Sequence, residues 1–175
     1  MYIHGIYCAK KRGGCMEISK FASELPYPQI EVTGNVAQSK LLMPNYCGAG
    51  GELTATLTYC FQSYITPKYP DIARALMGIA KVEMCHHRLL GDAIYKLGGY
   101  PIMGARTYWN GSYVNYTLDP KKFLQQNISA EENAIINYER TILNLDNESV
   151  KMLLERIILD EEHHIKIFKE LLTQF

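Results

Sequence analysis

Two segments of this chain set a glutamate and a histidine three residues apart in the middle of an otherwise apolar helical stripe. In the C-terminal segment, alternating steps of three and four give Val150, Leu154, Ile157, Glu161, His164, Phe168, Leu171 and Phe175. An earlier segment gives Ile72, Leu76, Ile79, Glu83, His86, Leu90, Ala93 and Leu97. That spacing keeps side chains on one face of a helix, so a carboxylate and an imidazole fall where a core wants hydrocarbon. Two more faces carry the anomaly in simpler form: Leu124, Ile128, Glu131, Ile135, Tyr138, Ile142, Leu145, and then Glu52, Ala55, Tyr59. The pattern is an internal repeat. The run Glu52 to Tyr59 aligns with Glu131 to Tyr138, and Glu83-Met-Cys-His86 aligns with Glu161-Glu-His-His164. The paired glutamates lie 31 residues apart in the first half and 30 in the second.

The same periodicity sets the fold class, which is all-α. Residues 1–36, rich in Gly, Pro and Tyr, read as an irregular N-terminal arm, and residues 37–175 as a four-helix bundle. The first helix spans about 37–65, with Pro44, Gly48, Gly50 and Gly51 tolerable inside it only at a kink or a close approach. A second runs from the Thr66–Asp71 break to about Leu97, where Gly98, Gly99 and Pro101 supply stop chemistry. Asp119-Pro120 opens a third, to about Leu145, and the turn at 146–149 leads to a fourth. Between the two helical pairs, residues 98–119 hold an aromatic and β-branched stretch around Asn110-Gly111, which suits a small hairpin or an extended loop. About 20 extended residues reach ~66 Å, more than the ~45 Å length of a 30-residue helix. One long crossover therefore joins two antiparallel hairpins.

Burying four ionised carboxylates in one core is prohibitive unless they are protonated, paired or bound to metal. Two divalent ions balance four glutamates, and two Glu-x-x-His motifs with two single glutamates form the donor set of carboxylate-bridged dimetal sites in helical bundles. Oxygen-rich donors with one imidazole per ion suit Fe or Mn better than structural Zn. Tyr59 and Tyr138, two turns from Glu52 and Glu131, are either core aromatics or phenols placed to hydrogen-bond a carboxylate across the bundle. His87 and His163 sit one position off the stripe and read as helix-face residues before any supporting role. Glu132, Glu155 and Glu162 read as solvated charges.

The 18 basic and 18 acidic side chains cancel, which leaves no electrostatic footprint for nucleic acid or an anionic membrane. No stretch approaches the ~20 apolar residues of a membrane span, and the first residues lack the layout of a secretory signal, so a cytoplasmic location is expected. The five cysteines form no C-x-x-C pair and read as reduced thiols; the 8–15 run CAKKRGGC matches no zinc spacing.

These motifs resemble the ferritin-like superfamily, specifically its rubrerythrin and bacterioferritin branch. Ile158 to Ile165 is similar to the last-helix motif of bacterioferritins, and Glu52-Leu53 with Tyr59 to their first-helix motif. The resemblance covers about residues 37–175 and implies that Glu52, Glu83, His86, Glu131, Glu161 and His164 are metal ligands, with Glu83 and Glu161 as bridges. It implies a redox site acting on peroxide or O2, served by an external electron donor because no rubredoxin-type C-x-x-C pair is present. A homodimer or larger homo-oligomer is implied as well. The Tyr-rich crossover departs from the bacterioferritin pattern and is closer to the small ferritin-like proteins of anaerobic bacteria, or to manganese catalases, which also carry long additions to the bundle. Met84 follows Glu83 as a haem-ligating methionine does in bacterioferritins, but a methionine beside a core stripe is ordinarily packing, and haem is not expected. The alternatives are ferroxidase and iron storage, or a coat-like structural protein that binds metal without turnover.

Overall fold

The computed structural model describes residues 18–32 and 34–175. The expectations attached to Cys8 and Cys15 lie outside the described residues. Among the described residues, five α-helices build the bundle: α1 (Val36–Cys47), α2 (Glu52–Tyr64), α3 (Pro70–Lys96), α4 (Pro120–Asn144) and α5 (Glu148–Leu172). Side chains of Asn35, Asp119 and Asn147 accept hydrogen bonds from backbone N–H groups in the first turns of α1, α4 and α5, satisfying donors that have no partner within the helix. Pro70 opens α3. Gly98 ends that helix at φ +86°, a left-handed conformation that costs a residue without Cβ little.

One expectation needs correction. The first helix is not continuous over 37–65 but breaks at residues 48–51, so α1 and α2 are separate helices. Pro44 lacks the N–H that would continue the hydrogen-bond ladder, and Gly48 turns to an extended backbone at φ −78°, ψ 179°. Gly51 then starts α2, which places Glu52 in its first turn, where the helix dipole favours a carboxylate. The two close-packed glycines make this break possible. A Cβ on Gly51 would lie 2.5 Å from the Asn45 carbonyl oxygen.

Helix α2 pairs with α3 and α4 with α5, each through a short turn, while α1 packs on α3, α2 and α4. The connection between the pairs is the long crossover. Among its two sequence-based forms the extended loop is found: Asn110 does not head a two-residue hairpin turn but caps the short 3₁₀ turn Gly111–Tyr113. The loop lies along α2, with Trp109 Nε1 donating to Thr54 Oγ1 at 2.9 Å and the Asn115 N–H to Thr58 Oγ1 at 3.2 Å.

Two apolar clusters fill the bundle. One joins Leu42, Leu90, Ile94, Leu145, Val150, Leu154 and Ile157, and the other joins Ile72, Leu76, Ile79, Phe123, Leu124 and Phe168. Between them lies a polar layer.

The break at 48–51 gives a stability prediction. Gly51→Ala should cost about 1–3 kcal/mol, the usual range for forced overpacking. Gly50→Ala, where an added Cβ meets nothing within 4 Å, should stay within about 0.5 kcal/mol; denaturant midpoints of the two variants read the difference.

Candidate metal centre

The polar layer is built by the six side chains that the repeat singled out. Glu52 comes from α2, Glu83 and His86 from α3, Glu131 from α4, and Glu161 and His164 from α5. None is more than 4% exposed. They form two overlapping groups, Glu52–Glu83–His86–Glu161 and Glu83–Glu131–Glu161–His164, and within each group one ligand atom per residue lies within 4.8 Å of the others. Glu83 and Glu161 belong to both. The imidazole rings face each other across the layer with centroids 6.2 Å apart.

The histidines are fixed from behind. His86 Nε2 lies 2.9 Å from Asp160 Oδ2, and His164 Nε2 lies 2.8 Å from the Phe21 carbonyl oxygen. Each Nε2–H donates outward, so a neutral ring turns the Nδ1 lone pair toward the glutamates. His86 Nδ1 then sits 3.3 Å from Glu83 Oε2, 3.3 Å from Glu161 Oε1 and 3.5 Å from Glu52 Oε2. His164 Nδ1 sits 2.9 Å from Glu83 Oε1, 3.0 Å from Glu161 Oε2 and 3.7 Å from Glu131 Oε1. A lone pair facing three carboxylates is repulsive unless a cation stands among them.

Unpaired oxygens make the same case. Glu52 Oε2, Glu83 Oε1 and Glu161 Oε1 are buried and accept no hydrogen bond, although buried acceptors are nearly always satisfied. The donor set therefore fits two cations, each held by one imidazole and by carboxylates. Without metal, protons take that place. Burial, and then the Glu83 charge, push the Glu52 and Glu131 carboxyls well above the usual range. Burial alone would raise Glu83 too, but the facing imidazoles outweigh it and hold that carboxyl far down. Both histidines are raised, because the surrounding oxygens overcome a desolvation that by itself favours the neutral ring.

The tyrosines cross the bundle in repeat-related fashion. Tyr59 OH donates to Glu131 Oε1 at 2.5 Å, and Tyr138 OH donates to Glu52 Oε1. Of the two histidines beside the stripe, His87 stacks on Tyr46 with centroids 4.1 Å apart, and His163 Nε2 meets the Lys20 carbonyl at 3.1 Å. Neither joins the cluster. Glu132, Glu155 and Glu162 are exposed. Met84 is 46% exposed on α3, which corrects its reading as core packing.

Sequence reasoning missed a second tier of residues. Asp160 is fully buried and receives, besides His86, the Tyr27 hydroxyl at 2.7 Å and the Ser23 N–H at 2.6 Å, with Arg156 Nη1 2.8 Å away as an ion pair. Ser23, Tyr27 and Phe21 belong to the arm, which shows no periodicity. Arg156 and Asp160 did leave a trace: they sit four residues apart, beside the apolar stripe of α5 rather than opposite it.

The model of the rubrerythrin family matches residues 48–172. The chain belongs to the rubrerythrin family. Its matched region begins at the helix break and contains all six cluster residues. Among relatives of this rubrerythrin-family chain, protein CotJC of Bacillus subtilis is 29% identical across 86% of this chain and 94% of that protein. A probable manganese catalase of Clostridium acetobutylicum is 25% identical, covering 83% and 75% respectively. Among solved structures, KatB, a manganese catalase from Anabaena PCC7120, superposes with a TM-score of 0.75 at 25% identity, over 87% of this chain and 78% of KatB. A Rhodobacter capsulatus bacterioferritin gives 0.69 at 18% identity, over 82% and 88%, and shares the ferritin-like fold.

Because the metal-free cluster favours protons on Glu52, Glu131 and both histidines, binding of metal there would release them. Burial and the neighbouring charges shift the two carboxyls toward their protonated forms, and the surrounding oxygens shift both histidines the same way, so lowering the pH opposes binding. Apparent Mn²⁺ affinity should fall as pH drops from about 8 to about 6; calorimetry in buffers of different ionisation enthalpy counts the protons released.

Proposed function

We propose that this chain binds two divalent transition-metal ions, manganese in preference to iron, and disproportionates hydrogen peroxide. The observation that carries the reading is the pair of histidine-anchored groups sharing Glu83 and Glu161. In this reading Glu52, Glu83 and His86 hold one ion with Glu161, and Glu131, Glu161 and His164 hold the other with Glu83. The likeness to the manganese catalase KatB, stronger than that to the bacterioferritin, supports manganese. When bound, a metal pair supplies a two-electron reservoir that single side chains lack.

The chain's residues do the rest. The six side chains of the layer are buried, which keeps bulk water and large molecules away from them. One peroxide gives up two electrons and two protons and leaves as O2, and a second takes both pairs and leaves as two waters. No outside donor is consumed. Protons need temporary holders between the two halves, and the phenols of Tyr59 and Tyr138, which donate to Glu131 and Glu52, stand at the edge of the cluster to serve as such. The histidines keep the metal positions fixed while the carboxylates adjust to changing charge.

The exposed aromatics of the crossover, Tyr100, Tyr108 and Tyr116, favour a second reading, a structural protein that uses the metals for stability and presents this loop to a partner. Metal content and peroxide consumption separate the two. The catalase reading expects about two metal ions per chain and O2 evolution at one mole per two moles of peroxide; full loading without turnover supports the structural reading. Fewer than about one ion per chain after reloading sinks both. Glu83→Ala should remove both ions, because its carboxylate is shared, whereas Glu132→Ala should leave the metal content unchanged.

A further inference from the structure

The two halves of the cluster carry matched ligands, one imidazole and one unshared glutamate each, with Glu83 and Glu161 in common. What differs is the backing of the imidazoles. Behind His86 stands a carboxylate, Asp160; behind His164 stands a neutral carbonyl, that of Phe21. In the repeat register the position matching Asp160 is Val82, a fully buried apolar residue, so the second carboxylate has no counterpart in the first half.

The asymmetry is maintained by the arm. Its residues 21–27 run over α3 and α5 as a strap, and their N–H and hydroxyl groups hold Asp160: Ser23 on Oδ1, Tyr27 on Oδ2. Arg156 ties the strap to α5, donating from Nε to the Leu25 carbonyl at 2.6 Å and from Nη2 to the Ser23 carbonyl at 2.8 Å, while its guanidinium lies 4.4 Å from the Tyr27 ring centre. At the other end the Phe21 ring occupies the space left by the absent Cβ of Gly78. That seat delivers the Phe21 carbonyl to His164.

We propose that the strap is part of the metal centre and makes its two positions unequal, the one at His86 holding its ion tightly and the one at His164 holding an exchangeable ion. This rests on the dimetal reading above. An anionic acceptor on Nε2–H makes the imidazole a stronger donor to metal than a carbonyl does, and partners of this kind change metal affinity by about 10- to 100-fold. Asp160, Tyr27 and Phe21 are positioning residues: they act through the histidines.

The test uses Mn²⁺ and the full chain. His164→Ala leaves the His86 position and His86→Ala leaves the other; the first variant should bind one Mn²⁺ about 10- to 100-fold more tightly than the second. Adding Asp160→Asn to His164→Ala should close most of that gap. Gly78→Ala supplies a measurement with every ligand intact. The substitution favours the helix by intrinsic propensity yet evicts the Phe21 ring, so chelator extraction from the loaded protein should show one ion leaving about tenfold faster and the other at its original rate. Equal affinities in the two single-position variants, or acceleration of both ions or neither by Gly78→Ala, overturn the inference and leave the dimetal reading intact. Failure of the unaltered chain to bind two Mn²⁺ overturns that reading itself.

Discussion

Four carboxylates enclosed by hydrocarbon repel one another, and water is not there to screen them. An unpaired buried charge costs several kcal/mol even after the protein relaxes, so Glu52, Glu83, Glu131 and Glu161 can share one layer only if positive charge shares it with them. The rest of the structure follows from meeting that condition. Two imidazoles enter from α3 and α5, two phenols cross from α2 and α4 to the single glutamates, and an apolar cluster seals the layer on each side. The bundle is a container whose contents have to be neutralised.

How the container closes is less symmetric than its contents. The internal repeat gives each half a glutamate, a tyrosine and a Glu-x-x-His, yet the two halves reach the same geometry by different routes. In the second half Glu131 sits in the middle of the long helix α4. In the first half the chain breaks at residues 48–51, and Glu52 arrives at the start of a new helix, with a dipole favourable to its charge. The outer side is asymmetric too. A single strap backs both histidines, with a carboxylate held by the chain on one side and a backbone carbonyl on the other. Ligand chemistry is duplicated while its support is not.

Much of the site was legible because it broke a rule. A polar residue on a helical core stripe stands out against hydrocarbon, and Glu83, His86, Glu131, Glu161 and His164 all did so. Tyr59 and Tyr138 were visible by their spacing from the glutamates, though their choice between packing and hydrogen bonding was not. Asp160 escaped because its neighbour Glu161 already explained the acidic run, and because its partners Ser23 and Tyr27 lie more than 130 positions away in a segment without periodicity. The helix break escaped because glycine and proline tell where a helix weakens, not whether neighbouring helices hold it together.

The sequence by itself determined an all-α bundle, its four core stripes and the six polar positions that meet in the candidate metal centre, since those depend on period and residue type along one element at a time. Tertiary structure decided which carboxylates are shared, which nitrogen of each histidine faces inward, and what stands behind it. Those outcomes depend on distances between helices and on a strap that folds back across them, and no local pattern encodes a contact whose two ends are defined only when the bundle closes.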